Sequence, residues 1–202
     1  MKMFSYVVRY DFGFAPNPFH GFCTLATCKP QIRRTASIGD WVVGTGSAEN
    51  KLTGHLVYAM QVSEAKSYDD YWDDLRFVSK RPNLRGSLIQ AFGDNIYHKG
   101  TAGWVQANSR HSNVDGSPNH DHIKKDTSAP RVLIGTEFFY WGGTGPKIPK
   151  KFRDWHGHDI CQKRAIKFKF PNTMVEAFVA WIKSRVGSGY LGDPACFARL
   201  EA

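Results

Sequence analysis

Short runs of β-forming residues, some alternating apolar and polar with a period of two, recur along this 202-residue chain, and near the end the longer period of a helix takes over. Residues 3–10, MFSYVVRY, are rich in β-formers and predict a strand. Asp40–Val43 predicts a second, short strand, and the apolar run His55–Val62 a buried one. Ser67 stands where an N-cap belongs, before a short acidic helix over Tyr68–Phe77; Asp69 and Asp70 fall in its first turn, where the helix dipole favours negative charge. Trp104–Ala107, Val132–Ile134 and Phe138–Trp141 predict further short strands. In Ala165–Phe170 the apolar Ile166, Phe168 and Phe170 share one face and Lys167 and Lys169 the other, the mark of a half-buried strand. The strongest helix signal covers 173–186: Met174, Phe178, Trp181 and Ile182 form one buried stripe, Pro171 precedes it, and Gly187 stands at the expected C-cap.

Between these elements lie two long stretches of turn-forming residues. Residues 11–30, DFGFAPNPFHGFCTLATCKP, combine Pro and Gly with Phe12, Phe14, Phe19 and Phe22, which are too apolar to float free, so the stretch reads as an ordered loop. Residues 108–130, NSRHSNVDGSPNHDHIKKDTSAP, are polar throughout, and a loop of that length is usually functional or disordered. Many short strands and few helices predict an α+β fold that is mostly β: a small barrel or curved mixed sheet with flanking helices and long ordered loops, in a single domain over 1–202.

Composition sharpens this picture in three ways. Hydrophobic residues at 42% supply a core, yet no apolar run approaches the roughly 18 residues that cross a bilayer, so no membrane partner is expected. The N-terminal apolar stretch turns polar at Arg9-Tyr10-Asp11, too soon for a signal-peptide core, and Cys23, Cys28, Cys161 and Cys196 lack a disulfide spacing; both features point to a cytoplasmic protein with reduced thiols. The net charge is +9, with eight basic residues in 147–169 (Lys147, Lys150, Lys151, Arg153, Lys163, Arg164, Lys167 and Lys169) against Asp154 and Asp159. Such a cluster suits a polyanion, most commonly nucleic acid, or serves as a solvated face.

Candidate chemistry is dispersed. Gly44-Thr45-Gly46-Ser47 has the look of a phosphate loop, echoed at Gly142–Gly145, but no lysine follows it, and a strand rather than a helix does. It is better placed at the end of a strand in which Trp41, Val43 and Thr45 share one face, leaving Gly44, Gly46 and Ser47 for a pocket rim. His156, His158 and Cys161 form His-x-His-x2-Cys; His20 with Cys23 and Cys28, and His111 with His120 and His122, form looser sets. None has a recognised zinc spacing, so neither metal nor cofactor is expected. There is no Gly-x-Ser-x-Gly elbow. Cys23 or Cys28 could find a histidine in space, although a small buried cysteine explains each as well. In 108–130, Ser109, His111, Ser112, Asp115 and Asp126 bring acid, base and hydroxyl groups into one segment, with Asp115 also explained by its turn. Phe12, Phe14, Phe19, Trp41 and Trp141 stand at turns, where a base could stack on one or two of them.

Five stretches of the sequence, Tyr6-Val7-Val8, Asp11–Phe19, Cys23–Pro30, Ile32–Thr35 and Gly39–Ser47, together with His111-Ser112, Asp115–Asn119, Asp126-Thr127, Arg131–Ile134 and Phe138–Gly142, resemble the nucleotide modification-associated domain family 2. The likeness runs over most of residues 3–145 and thins in the basic last third. It implies a setting among DNA-modification and phage-conflict systems. Gly39–Val43, the strand ending in Val62–Ala65 and the acidic helix also resemble the PUA-like group, which includes EVE and YTH domains. That likeness implies a small β-barrel holding a modified base between aromatic walls. The expectation is a module that binds DNA, RNA or a nucleotide. Phe14, Asn17, His20, Gly44, Thr45, Gly46, Ser47, Ser109, His111, Ser112 and Trp141 would line its pocket, and Arg33, Arg34, Lys147, Lys150, Lys151, Lys167 and Lys169 would hold phosphates. The alternative is an enzyme that installs or removes a modification, with His111, Asp115 and Asp126 as its acid and base groups.

Overall fold

The computed structural model describes residues 1–161 and 165–200, so Lys163 and Arg164 of the basic cluster lie outside the described residues. The strands are β1 (Met3–Val8), β2 (Cys23–Leu25), β3 (Trp41–Gly46), β4 (Leu56–Gln61), β5 (Glu64–Lys66), β6 (Tyr97–Gly100), β7 (Gly103–Gln106), β8 (Val132–Gly135), β9 (Phe138–Tyr140) and β10 (Gly189–Tyr190). The helices are α1 (Pro30–Thr35), α2 (Tyr68–Asp73), α3 (Leu88–Ala91), α4 (His120–Thr127) and α5 (Asn172–Lys183). The fold is α+β with mixed sheets, and among the described residues no sheet closes into a barrel. None of the described helices is long and apolar enough to cross a membrane. By its contacts the chain divides into two compact units, each assembled from separated segments: Met1–Phe12, Ala36–Ser63 and Gly135–Ala202 in the first, Gly13–Thr35 and Glu64–Ile134 in the second.

The first unit is built on an open sheet in the order β1-β3-β4-β9-β10. The outer pairs β1–β3 and β9–β10 are parallel and the inner pairs antiparallel. All six residues of β3 are buried, which is why it runs on through Gly44-Thr45-Gly46 where the turn-like spelling suggests a loop. A Cβ on Gly44 would lie 2.4 Å from Tyr58 Cε1, and one on Gly46 would lie 2.3 Å from the Leu52 carbonyl oxygen. These glycines admit neighbours to the strand rather than a ligand to its end. Trp41, Val43, Leu56 and Ala59 pack with Met174, Phe178 and Ile182 of α5, and Trp181 sits at the margin of that core. The helix ends at Lys183 with Ser184 as C-cap, so Gly187, at φ +82, belongs to the turn beyond it. The strand expected over 165–170 shrinks to one bridge, Lys167 with Ser5, and Phe168 is left exposed. Pro171, without an N–H, closes that run.

The second unit holds the three-stranded sheet β2-β8-β5, the hairpin β6–β7 and helices α1 to α4. Ser67 caps α2 as expected, its hydroxyl accepting from the Asp70 N–H at 3.1 Å. Two elements lie hidden in the stretches read as loops. Strand β2 emerges from the Pro- and Gly-rich segment before α1, and α4 occupies the polar 108–130 stretch. Asn119 caps α4, accepting from His122 N–H at 3.1 Å, and only Ile123 and Asp126 of the helix are buried. A buried polar cluster fastens the 13–28 segment. Lys80 Nζ donates to the carbonyls of Asn17 at 3.1 Å and Phe22 at 3.0 Å, while Asp94 accepts from Thr24 Oγ1 at 2.7 Å and Tyr71 OH at 2.8 Å. Burial lowers Lys80 to about 8 against the pull of Asp94.

Candidate active site

The second unit brings a cysteine, a histidine and an aspartate from three parts of the chain into one line. Cys28 lies between β2 and α1, His111 in the turn after β7, and Asp126 in the last turn of α4. Cys28 Sγ stands 3.7 Å from His111 Nε2, and His111 Nδ1 stands 2.7 Å from Asp126 Oδ2. The carboxylate accepts the Nδ1 proton, so Nε2 is the nitrogen turned to the sulfur. Asp126 Oδ1 accepts the Cys28 backbone N–H at 2.8 Å, and Tyr97 OH donates to Oδ2 at 3.0 Å. One carboxylate therefore orients the imidazole and fixes the backbone that carries the thiol.

The surroundings hold this line in place. Cys28 and Lys29 sit at φ +57 and +39, left-handed values that cost a residue with a side chain about 1–3 kcal/mol each. Arg33, wholly buried, restrains them: Nε donates to Cys28 O at 2.8 Å and Nη2 to Asp126 O at 2.6 Å, while Nη1 serves Tyr68 OH and the carbonyls of Ala129 and Arg131. The His111 backbone is set by its carbonyl accepting from Gln106 Nε2 at 3.2 Å and by its N–H donating to Ser109 Oγ at 3.3 Å. Its ring meets the edge of Phe14 at 4.8 Å and stacks on His122 at 4.0 Å.

Burial alone would lower His111. The hydrogen bonds and charges of Asp126 and Cys28 outweigh it and raise the imidazole to about 9. Burial likewise pushes Asp126 up, but His111, the Cys28 N–H and Arg33 bring it below the usual carboxylate range. At neutral pH the pair is imidazolium and carboxylate, with Nε2–H directed at sulfur. His122 is lowered, first by burial and then by the charge on His111. Burial and the neighbouring Asp126 hold Tyr97 as a neutral phenol that donates.

Ligand atoms of His111, His122 and Asp126 lie within 4.8 Å of one another, close enough for a metal. Their directions suit one poorly. Imidazole lone pairs lie in the ring planes, and these two rings are stacked at 29°, so the lone pairs run side by side rather than toward one centre. Asp126 Oδ2 already accepts from His111 and Tyr97. Among the described residues His156, His158 and Cys161 form no such group.

Of the other residues singled out from the sequence, Ser109 and Ser112 shape the turn that presents His111, and Phe14 packs on its ring. Asp115 is on the exposed turn, where Ser117 N–H and Oγ bond it, and burial brings it no partner in the line. Asn17 is buried, its amide donating to Gly13 O and Phe92 O. His20 is exposed at a left-handed turn. Gly44, Thr45, Gly46, Ser47 and Trp141 are buried in the first unit, with Ser47 Oγ donating to Arg9 O at 2.9 Å, and none of them belongs to the line in the second. Arg33, expected on a phosphate, is buried with its donors spent on carbonyls and Tyr68. Arg34, Lys147, Lys150, Lys151 and Lys169 are exposed and Lys167 is half-buried. Cys28 is one of two thiols the sequence leaves open, and no spacing in the chain ties it to His111 rather than to His20. For Tyr97, Gln106 and the structural role of Arg33 the sequence carries no signal.

The model of a family described as "Nucleotide modification associated domain 2" matches residues 1–201, essentially the whole chain, including the basic last third. Comparison with curated proteins and with solved structures returns no match.

Proposed function

The chain belongs to the family described as nucleotide modification associated domain 2, and we propose that it is an enzyme acting on a base or nucleotide with Cys28 as nucleophile. The observation that carries this reading is the line Cys28 Sγ–His111 Nε2–Asp126, at 3.7 and 2.7 Å, with the Cys28 N–H on the same carboxylate. This is the arrangement by which a thiol is made a nucleophile: a base holds its proton, and a third group holds the base. The form that reacts is the thiolate, with His111 Nε2 facing the sulfur at 3.7 Å. The thiolate attacks an electrophilic carbon of the substrate, a C–S bond forms, and the leaving group departs with its electron pair and takes the His111 proton. Water or an acceptor nucleotide, deprotonated by His111, then displaces the sulfur. DNA modification or phage conflict is the setting such chemistry fits.

Iodoacetamide alkylation tests the nucleophile. Cys28 should react faster than Cys161, whose thiol burial pushes up to about 11. His111→Ala should slow Cys28 by about 10²-fold or more, the usual contribution of acid–base help. Equal Cys28 rates in the two proteins would sink the reading. With nucleotides and DNA as substrates, mass spectrometry should find products that Cys28→Ser does not make.

Recognition of a modified base without chemistry is the second reading. The net charge of +9 and the exposed Lys147, Lys151 and Lys169 support it. Titration of modified and unmodified oligonucleotides across a salt series decides it: no binding to either at low salt removes it.

A further inference from the structure

We propose that Tyr97, held by Gln106, is a positioning residue of the Cys28 site: its phenol shares the Asp126 oxygen that grips His111, and so leaves the imidazole free to pass its proton on. This rests on the nucleophile reading above and adds to it a residue that acts through Asp126. Asp126 and Tyr97 are both wholly buried. Asp126 Oδ2 accepts from His111 Nδ1 at 2.7 Å and from Tyr97 OH at 3.0 Å, so both its lone pairs are taken, while Oδ1 serves the Cys28 N–H at 2.8 Å. The phenol has one proton, and Gln106 decides where it points. In the β6–β7 hairpin Tyr97 and Gln106 stand directly opposite one another. Gln106 Oε1 accepts from the Asn119 N–H at 2.7 Å, which turns Nε2 to the phenol oxygen and to the His111 carbonyl, each at 3.2 Å. A backbone N–H can only donate and a carbonyl only accept, so the amide has one orientation. Nε2 donates to the Tyr97 oxygen, and the phenol proton is left for Asp126.

A buried hydroxyl needs an acceptor, but the acceptor need not be a carboxylate. Tyr68 shows the alternative. It lies edge-on to Tyr97 at 5.5 Å, and its hydroxyl goes to the main-chain carbonyls of Ala26 at 2.8 Å and Asp126 at 3.0 Å. Of these two phenols, Tyr97 bonds the side chain that works on His111. A donor on a carboxylate disperses its charge, and a dispersed charge holds the facing imidazolium less firmly. His111 is faced by Cys28 at Nε2, by Asp126 at Nδ1 and by His122 across the ring, with the Arg33 charge acting on Asp126. Burial lowers the imidazole, and Asp126 and Cys28 outweigh it to reach about 9. A general acid works best near the pH at which it operates, and the phenol draws His111 in that direction. Without the phenol, Asp126 holds the imidazolium harder.

NMR titration of the histidine ring nitrogens tests this, with His111→Gln assigning the His111 signals. His111 should titrate about half a pH unit higher in Tyr97→Phe than in the wild type. Tyr68→Phe removes a buried phenol from the same cluster without touching a carboxylate, and should leave the His111 midpoint in place. Replacing Tyr97 by meta-fluorotyrosine keeps the ring and makes its hydroxyl a stronger donor, so the midpoint should move the other way; this protein decides the matter if Tyr97→Phe does not fold. A His111 midpoint unmoved by either change at Tyr97, or raised equally by Tyr68→Phe, overturns the proposal. Iodoacetamide alkylation of Cys28 on the same samples reports separately on the nucleophile, and its pH dependence should follow the His111 midpoint from variant to variant. A thiol that stays slow in every protein while His111 moves as expected would defeat the nucleophile reading and leave the action of Tyr97 on His111 standing.

Discussion

Arg33 shows how much of this site is built by a residue that takes no part in its chemistry. Its guanidinium ties the carbonyls of Cys28 and Asp126, 98 residues apart, to Tyr68, Ala129 and Arg131. Arg33→Met leaves those acceptors buried and unpaired, and urea unfolding should show a loss of about 3 kcal/mol or more. Arg33→Lys should recover little, because an ammonium cannot reproduce the planar fork. His111 makes a second prediction. Its folded value, raised to about 9 from the ordinary 6.5, means that protonation favours the folded state; that stability is complete below pH 6.5 and lost as pH rises through 9. Lys80, lowered to about 8 from 10.5, works in the opposite sense above pH 8, so the clean window is 6.5 to 8. Urea stability should fall with pH across that window in the wild type and stay flatter in His111→Gln. His111 and Asp126 were legible as candidates because a polar turn gives a histidine and an aspartate little other reason. Asp115 looked the same by composition and turned out to bond its own turn. Cys28 was not separable from Cys23 in sequence, since only the fold decides which thiol meets a base; Cys23 is fully buried and pushed up by that burial.

Elements with a strong apolar rhythm were legible: β1, β4, β8, β9, α5 and the Ser67-capped α2 all stand near where the pattern puts them. Elements that bury polar groups were not. Helix α4 buries one apolar side chain, Ile123, and one carboxylate, Asp126, so no hydrophobic stripe betrays it. Strand β3 was cut short because glycine usually ends a strand, whereas here Gly44 and Gly46 make room for Tyr58 and Leu52. Gly44→Ala should destabilise the first unit by roughly 1–3 kcal/mol through overpacking against Tyr58 and Val8. Gly46→Ala should cost more, since the obstacle is the Leu52 backbone, which cannot rotate away. Thermal unfolding of the two variants checks the order. For α4, Asn119→Ala removes the cap and should cost about 1 kcal/mol. Because Asp126 rides on that helix, Cys28 alkylation should slow as well; an unchanged rate would show that the line survives a frayed helix start.

At the scale of the molecule, four free cysteines mean that no covalent link supports the fold, so the melting temperature should be the same with and without dithiothreitol. The charge of +9 is spread over both units, with Lys29, Arg34 and Lys125 in the second and Lys147, Lys151 and Lys169 in the first. The second unit itself is discontinuous: Gly13–Thr35 supplies Cys28, and Glu64–Ile134 supplies His111 and Asp126. During synthesis the thiol therefore leaves the ribosome long before its base and its carboxylate exist. On the proposed nucleophile reading, a nascent chain stopped anywhere short of Asp126 carries an unactivated cysteine, and the reactive form arises only when the later segment arrives.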